Sequence, residues 1–375
     1  MIKILHIVAN DKLSGAEKVV LDICRNMKKG YECIAVTSGD NLGQYFKEAG
    51  IKYYASDISR LNPANIYKIK NIIKEENIDI VHGHDVKASI AGYIAAKSSN
   101  KPVISHIHAT YPWIKKPNLL KFIDSFFRNK YEKSIACSET AKDYYLEHNL
   151  KADKSSFLTL VNSLDFTDFD EEELKSNRTH LKRELNLGSE EIIYGYAGRL
   201  IPLKGVDMLI NAFYEISKEI EGVKLLIIGD GEEEERLKNL TNQLNLRDKV
   251  IFAGYQKDIY TYINLMDVFI LPSVREGLPM VVLEAAALKK AVITTPLPGV
   301  MEFIKNGETG LVLKKRSCDD MAMTMKYLYN DRQMMKKLGE NAYGILKDQY
   351  SIDSYIDELT KIYSSVLNSR MRSSR

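Results

Sequence analysis

The chain has 375 residues, 45% hydrophobic and 27% charged, an ordinary globular composition long enough for two domains. Its 53 Lys and Arg against 50 Asp and Glu leave a net charge of +3, too balanced for a dedicated nucleic-acid binder. No run approaches the roughly 20 apolar residues of a membrane-spanning helix, and the short apolar start, ended by Asp11 and Lys12, does not read as a secretory signal. Cys24, Cys33, Cys137 and Cys318 show no CxxC spacing, which points to reduced thiols in a cytoplasmic protein rather than a disulfide or zinc framework.

Short apolar runs alternate with amphipathic stretches. Strands are predicted at Ile2–Ala9, Glu32–Thr37, Ile51–Ala55, Ile80–His82, Val103–His106, Ser134–Ala136 and Phe157–Val161. Helices are predicted between them at Ala16–Lys29, Leu42–Ala49, Pro63–Glu76, Val86–Lys97, Asn118–Tyr131 and Glu139–His148. The alternation stops at residues 162–190, which are polar and carry the acidic run Asp168–Glu173. It resumes with strands at Ile192–Ala197, Lys224–Ile228, Val250–Phe252, Val268–Leu271, Ala291–Thr294 and Gly310–Leu313. Helices follow at Val206–Ile220, Glu232–Leu244, Ile259–Leu265, Pro279–Leu288, Val300–Lys305 and Asp319–Asn330, and the tail from Arg332 to Asn368 is mostly helical. This pattern predicts an α/β protein with two Rossmann-like, doubly wound parallel sheets facing across a cleft. The expected boundaries are a first domain over 1–165, a linker over 166–190, a second domain over 191–350, and a closing helix over 351–375 that crosses back to the first domain.

Doubly wound sheets bind ligands at the carboxyl ends of their strands, so the loops there carry the chemistry. Ser14-Gly15-Ala16-Glu17 follows the first strand and opens a helix, where glycine lets backbone N–H groups approach a phosphate; it reads equally as a plain strand-to-helix turn. No GxGxxG is present, which removes the main support for a dinucleotide dehydrogenase. Arg199 and Lys204, in the loop after the first strand of the second domain, form a suitable diphosphate clamp. The third constellation, Glu276-Gly277-Leu278-Pro279-Met280 with Glu284 eight residues after Glu276, is the most specific. Pro279 favours the first turn of a helix. The amides of Gly277, Leu278 and Met280 are then expected to face an anion or polyol, and the two carboxylates to accept sugar and ribose hydroxyls.

The segment around Glu276 and Glu284 resembles the Glu-x7-Glu motif of family 4 glycosyltransferases of the GT-B fold. Gly15-Ala16-Glu17 resembles that family's Gly-Gly-x-Glu, with Ser14 in place of the first glycine. Val161–Asp165 resembles its hinge segment, with Ser163 in place of a glycine. Gly198–Gly205, Ile228–Gly231, Phe252–Gly254 and Asn306–Gly310 match in order and spacing, so the resemblance covers nearly the whole chain. It implies a retaining glycosyltransferase that moves a sugar from a nucleotide diphosphate sugar to a hydroxyl of a glycan or lipid-linked acceptor, in surface polysaccharide or glycolipid biosynthesis. UDP is the default nucleotide because it is common, not because a residue demands it. The first domain would bind the acceptor and the second the donor. Glu276, His108, Arg199 and Lys204 would be catalytic, with His106 competing for the place of His108. Gly15, Arg199, Lys204, Tyr255, Glu276, Gly277, Leu278, Pro279, Met280 and Glu284 would hold the donor. Other expectations within this architecture are a nucleotide-sugar epimerase, a phosphorylase or a catalytically silent nucleotide-sugar-binding scaffold. The Glu276/Glu284 pair argues against the first, the modest length against the second, and intact site residues against the third.

His82-Gly83-His84 and His106-Ile107-His108 invite a metal reading, but no third ligand stands at site-like spacing, so no metal or other cofactor is expected. Asp168-Phe169-Asp170 is read as solvated linker. Residues 101–133 hold seven basic and two acidic side chains, a local charge of +5. Apolar residues at 119, 122, 123, 126 and 127 follow helical spacing there. The segment reads either as a helix packing its apolar face on the core or, over residues 113–133, as a peripheral contact with anionic lipid at the inner face of the plasma membrane. Arg370, Arg372 and Arg375 would add to that patch. No feature sets an oligomeric state.

Overall fold

The computed structural model describes residues 1–58, 60–149 and 152–373. The chain begins with β1 (Ile2–Val8), α1 (Gly15–Arg25), β2 (Tyr31–Thr37), α2 (Asp40–Glu48), β3 (Lys52–Ala55), α3 (Pro63–Glu75), β4 (Ile80–His84), α4 (Asp85–Lys97), β5 (Val103–Ile107), α5 (Leu119–Arg128), β6 (Lys133–Ala136), α6 (Glu139–His148) and β7 (Phe157–Thr159). These strands form one seven-stranded sheet in the order β3-β2-β1-β4-β5-β6-β7, with every pairing parallel.

A parallel sheet is covered on both faces, so its strands are near-continuous apolar runs. Side chains alternate between the faces. Leu5 and Ile7 of β1 meet Ile34, Val36, Val81, Val103 and the buried side of α3 in one apolar cluster. Val8, Ala35, Val20, Leu21 and Phe46 build the cluster against α1 and α2. Each such Ile, Leu or Val stabilises the fold by roughly 1.5–3 kcal/mol when removed from water.

The second stretch comprises α7 (Glu171–Glu184), β8 (Ile192–Ala197), α8 (Val206–Ser217), β9 (Val223–Ile228), α9 (Glu234–Gln243), β10 (Val250–Gly254), α10 (Ile259–Leu265), β11 (Val268–Leu271), α11 (Met280–Ala287), β12 (Ala291–Thr294), α12 (Pro298–Met301), β13 (Leu311–Val312), α13 (Cys318–Asn330) and α14 (Arg332–Gln349). Its six strands pair in the order β10-β9-β8-β11-β12-β13, again all parallel. Tyr194, Leu225, Ile270 and Ile293 from the sheet pack with Phe213, Leu237, Met325 and Leu338 from the helices in one core. The chain ends in α15 (Ile352–Ser373).

Two compact units result: residues 1–163 with 352–375, and residues 164–351. The closing helix therefore belongs to the unit built around the first sheet. In both sheets the strand order reverses once, between β1 and β4 and between β8 and β11. The crevice at such a reversal is where this architecture binds ligands.

Residues 166–190 are largely solvent-exposed, as expected of a linker, but helical and not irregular. A 3-10 turn at Phe166–Asp168 leads into α7, and Asp170 Oδ1 accepts from the backbone N–H groups of Glu172 and Glu173 at 3.0 Å each. The acidic run is the first turn of that helix and Lys182 and Arg183 its last, both complementing the helix dipole. Asp168-Phe169-Asp170 is accordingly a helix start, with the Phe169 ring 4.6 Å from that of Tyr260. The expected helix over 300–305 stands earlier, because Pro298 begins its first turn. Pro279 stands one place outside its helix, as the N-cap of α11 in extended conformation, rather than in the first turn.

Candidate functional site

In the second unit, the loops after β8 and β11 flank the reversal in strand order. Backbone bonds join the neighbouring loops. Gly198 N–H donates to Ile228 at 3.0 Å, Leu200 N–H to Asp230 at 2.7 Å, and Gly229 N–H to Gly254 at 2.8 Å. Gly229 has φ +124°, and a Cβ there would collide with the Gly198 carbonyl, so only glycine allows the close approach. Val274 N–H donates to the Leu203 carbonyl at 2.9 Å, tying the β11 loop to the β8 loop.

This scaffold brings Lys204 and Glu276 into contact. Lys204 Nζ donates to Glu276 Oε1 at 2.5 Å, and Ser273 Oγ donates to the same oxygen at 2.8 Å. Both charged side chains keep partial exposure, 18% and 12%. Ser273 is wholly buried, and its carbonyl accepts from Thr295 Oγ1 at 2.7 Å. Arg199 is exposed, and its carbonyl accepts from the Tyr196 hydroxyl at 3.0 Å. Burial pushes the Tyr196 phenol above its usual range; the Glu276 carboxylate adds to this and the Arg199 guanidinium opposes it, so one buried ring senses both charges.

Gly277, Leu278 and Met280 are buried beside Glu276, with Pro279 between them. Gly299 packs so closely on the Gly277 carbonyl that a side chain there would not fit. Glu284 is the fifth residue of α11 and is buried. Tyr255 follows β10 and is half exposed, and its neighbour Gln256 donates from Nε2 to the Ala253 carbonyl at 2.5 Å. Sequence reasoning missed Ser273, Tyr196 and Thr295, since no motif spacing marks a buried hydroxyl as a partner.

In the first unit, Gly15 is exposed at the start of α1, after the N-cap Ser14. Glu17 is buried and accepts from Asn10 Nδ2 at 2.7 Å and from the Ser14 hydroxyl. His108 follows β5 and is half-buried; its Nε2 stands 2.9 Å from His84 Nδ1 and its ring stacks on His106 at 4.1 Å. Burial pushes the His108 imidazole down to about 4 against the pull of Glu17, so the ring is neutral at pH 7. His106 is wholly buried, and neither of its nitrogens has a hydrogen-bond partner among the described residues. Asp85, another residue missed from sequence, adopts φ +71° and accepts from the Tyr111 hydroxyl. Such left-handed backbone is uncommon outside glycine and concentrates at functional sites.

The histidines are not two separate pairs. Parallel pairing sets His6 beside His82 and His84 beside His106. His6, His82 and His84, and likewise His84, His106 and His108, each bring three ring nitrogens within 4.8 Å. A third ring nitrogen thus stands beside each His-x-His pair although none has site-like spacing in the sequence, because spacing along the chain does not report neighbours across a sheet.

Residues 177–365 match the model of the family described as Glycosyl transferases group 1, and residues 13–158 match that of Glycosyltransferase Family 4. The capsular polysaccharide biosynthesis glycosyltransferase CapM of Staphylococcus aureus is 27% identical, covering 97% of each chain. The UDP-Gal:alpha-D-GlcNAc-diphosphoundecaprenol alpha-1,3-galactosyltransferase of Escherichia coli is 25% identical over 96% of each. Among solved structures, Anabaena Alr3699/HepE in complex with UDP-glucose superimposes with a TM-score of 0.87 at 20% identity, covering 97% of this chain and all of that one. With the first family model spanning half of the sequence and the fold shared throughout, the chain belongs to the family 4 glycosyltransferases of the GT-B fold.

Proposed function

We propose that this glycosyltransferase moves a sugar, with retention of anomeric configuration, from a UDP-sugar to a hydroxyl of a glycan or lipid-linked acceptor in surface polysaccharide or glycolipid synthesis on the cytoplasmic side of the membrane. The observation that carries the reading is the Lys204–Glu276 pair, braced by Ser273 at the reversal of the second sheet. The names of the capsular and diphosphoundecaprenol relatives, and the UDP-glucose held by the Anabaena protein, support the donor and acceptor classes.

In this reading Arg199 and Lys204 bind the donor diphosphate, and Glu276, held on one oxygen by Lys204 and Ser273, uses the other for sugar hydroxyls. Glu284 takes the ribose and Tyr255 stands near the base. The Leu278–Met280 amides face the diphosphate, Gly15 contacts a phosphate, and neutral His108 bonds a hydroxyl of the sugar. Charge develops on the leaving phosphate as its bond to the anomeric carbon breaks, and the two cations stabilise it without a divalent ion. The acceptor oxygen bonds the same carbon on the same face, and its proton passes to the leaving diphosphate. Double displacement would need a carboxylate on the opposite face, and Glu276 is already committed; a trapped glycosyl-enzyme adduct would overturn this choice.

The test is slow release of nucleoside diphosphate from a panel of nucleotide sugars. Release is expected from the UDP-sugar that gives the largest thermal shift, and is expected to fall roughly 100- to 1,000-fold in Glu276→Ala and Arg199→Ala. Release unchanged in both variants would reject the assignment.

A further inference from the structure

Three side chains with no part in the transfer reaction converge in the first unit. His6 comes from β1, Cys33 from the adjacent strand β2, and Cys24 from α1. β1 and β2 run in parallel register, with Ile4 opposite Cys33 and His6 opposite Ala35. An imidazole nitrogen and the two Sγ atoms lie within 4.8 Å of one another. His6 and Cys24 are buried, while Cys33 keeps partial exposure. His6 Nδ1 stands 3.0 Å from His84 Nε2, and His6 Nε2 is buried with no hydrogen-bond partner among the described residues.

We propose that His6, Cys24 and Cys33 bind a divalent transition metal, with zinc the ion that the donor set fits. Two sulfurs and one imidazole are borderline-soft ligands that suit zinc; magnesium, calcium and manganese prefer oxygen. On binding, each thiol releases its proton to solvent and forms a metal–sulfur bond, and the imidazole supplies a nitrogen lone pair. Two thiolates cancel the charge of a divalent ion, so the ion enters this low-dielectric place without adding net charge. The fourth tetrahedral position is left for a water. His84 plays the part that a ligand's neighbour plays in such sites: it holds the second ring nitrogen of His6 and so orients the first.

The ion also sets the protons of the chain leading to His108. A metal on His6 Nε2 places the His6 proton on Nδ1, donating to His84 Nε2. His84 then donates from Nδ1 to His108 Nε2, 2.9 Å away, and the His108 proton stays on Nδ1. The site involves no residue of the second unit and leaves the diphosphate chemistry free of metal.

The test uses the full chain, freed of metal by chelator, kept reduced and titrated with Co2+. One equivalent is expected to bind, with thiolate-to-cobalt charge-transfer absorption and the strong visible bands of a tetrahedral ion, and Zn2+ is expected to displace it. The charge-transfer band should vanish in Cys24→Ser and Cys33→Ser and persist in Cys137→Ser and Cys318→Ser. Absence of the band in the parent chain, or its survival in Cys33→Ser, overturns the site. Should a serine variant fail to fold, alkylation of the parent protein decides: Zn2+ is expected to protect Cys33, the partly exposed thiol, at least tenfold, and equal labelling of Cys33 with and without Zn2+ overturns the proposal.

Discussion

Lys290 is an ammonium in the wrong solvent. It precedes β12, is buried, and its Nζ donates to the Asn264 carbonyl at 2.8 Å. Burial pushes its pKa down to about 7; Arg178 and, more weakly, Lys182 add repulsion, and Asp267 opposes it. In the unfolded chain the same group titrates near 10.5. Between these values the unfolded state binds more protons than the folded one, so stability rises with pH from about 7 to 10.5 and the penalty is full below 7. The slope is at most roughly 1.4 kcal/mol per pH unit. The urea midpoint of the second unit is therefore expected to increase between pH 7 and 9.5. Lys290→Met is expected to flatten that rise and to be the more stable protein at pH 7, since an unpaired Asn264 carbonyl costs only about 1–3 kcal/mol. Equal slopes in parent and variant would refute the assignment. Nothing in the sequence marks Lys290, because a pair of lysines, Lys289 and Lys290, before an apolar strand reads as surface. The places of Arg199 and Glu276 in the loops after β8 and β11, and of Glu284 within α11, were legible because their spacing survives along the chain. The contact between Lys204 and Glu276 was not, since 72 residues separate them and only the β8 and β11 loops bring them together. The histidine array was hidden for the same reason.

At the scale of elements, α5 is built inside out. Its helical apolar spacing was legible, but spacing does not say which face turns inward. The inward face carries Asp124 and Arg128, both wholly buried and paired at 2.6 Å. Arg128 also donates to the Tyr145 hydroxyl at 2.9 Å, to Ser105 at 2.8 Å and to Ser134 at 3.3 Å. The outward face shows Leu119, Phe122 and Phe126 at 74%, 70% and 60% exposure. Core packing holds for Phe127, which packs against the apolar cluster of the first unit, and fails for Leu119, Phe122 and Phe126. Removing one partner of a buried pair strands the other charge, so Arg128→Met is expected to destabilise the first unit by about 3–5 kcal/mol, and adding Asp124→Leu to recover most of that loss in urea titrations. Recovery of nothing by the double variant would show that the hydroxyl bonds, not the ion pair, set the cost. Lys130 borders the exposed stripe, its Nζ 3.4 Å from the Phe126 ring centroid; Lys121 lies on the same helix, and Lys115 and Lys116 are exposed just before it. An apolar stripe with a basic rim suits an anionic lipid surface, where a lipid-linked acceptor would be presented. Arg370 is committed elsewhere, bonded to Glu132; Arg375 and the side chain of Arg372 lie outside the described residues. At about 1 kcal/mol per basic residue, reversing Lys115, Lys116 and Lys121 should weaken binding to phosphatidylserine vesicles at least 100-fold, and Phe122→Ser with Phe126→Ser should weaken it without changing its salt dependence. Unchanged sedimentation with vesicles would reject the patch. Among the described residues no helix is long and apolar enough to cross a membrane.

At the scale of the molecule, the chain leaves the first unit at residue 163 and returns to it at residue 352. Two βα runs separated by a polar stretch were legible. The capped helix α7 hid inside that stretch because its acidic first turn looks like solvated linker. The allegiance of α15 could be expected from the family but not from its own pattern, since an apolar helix face does not name the sheet it covers. The structure supplies the reason. Tyr355, Ile356, Leu359, Tyr363 and Val366 are all buried. The Tyr363 hydroxyl stands 2.7 Å from His82 Nδ1, and Tyr31 and Ser364 hydroxyls lie 3.2 Å apart. Five large side chains at roughly 1.5–3 kcal/mol each amount to about 7–15 kcal/mol, comparable to the whole stability of an ordinary domain. A chain ended at residue 351 is therefore expected to keep a folded second unit, which is continuous in sequence, and to lose the native first one. Amide hydrogen exchange reads the two separately: protection in β8, β9 and β11 should match the parent protein, while β1, β4 and β5 should exchange at rates near those of an unfolded chain. Supplying residues 352–375 through a flexible linker placed before Met1 should restore protection to β1 and β4, because the helix acts by covering that sheet and not by where it joins the chain. Native protection of β1 in the shortened chain would mean that the sheet holds without its last helix.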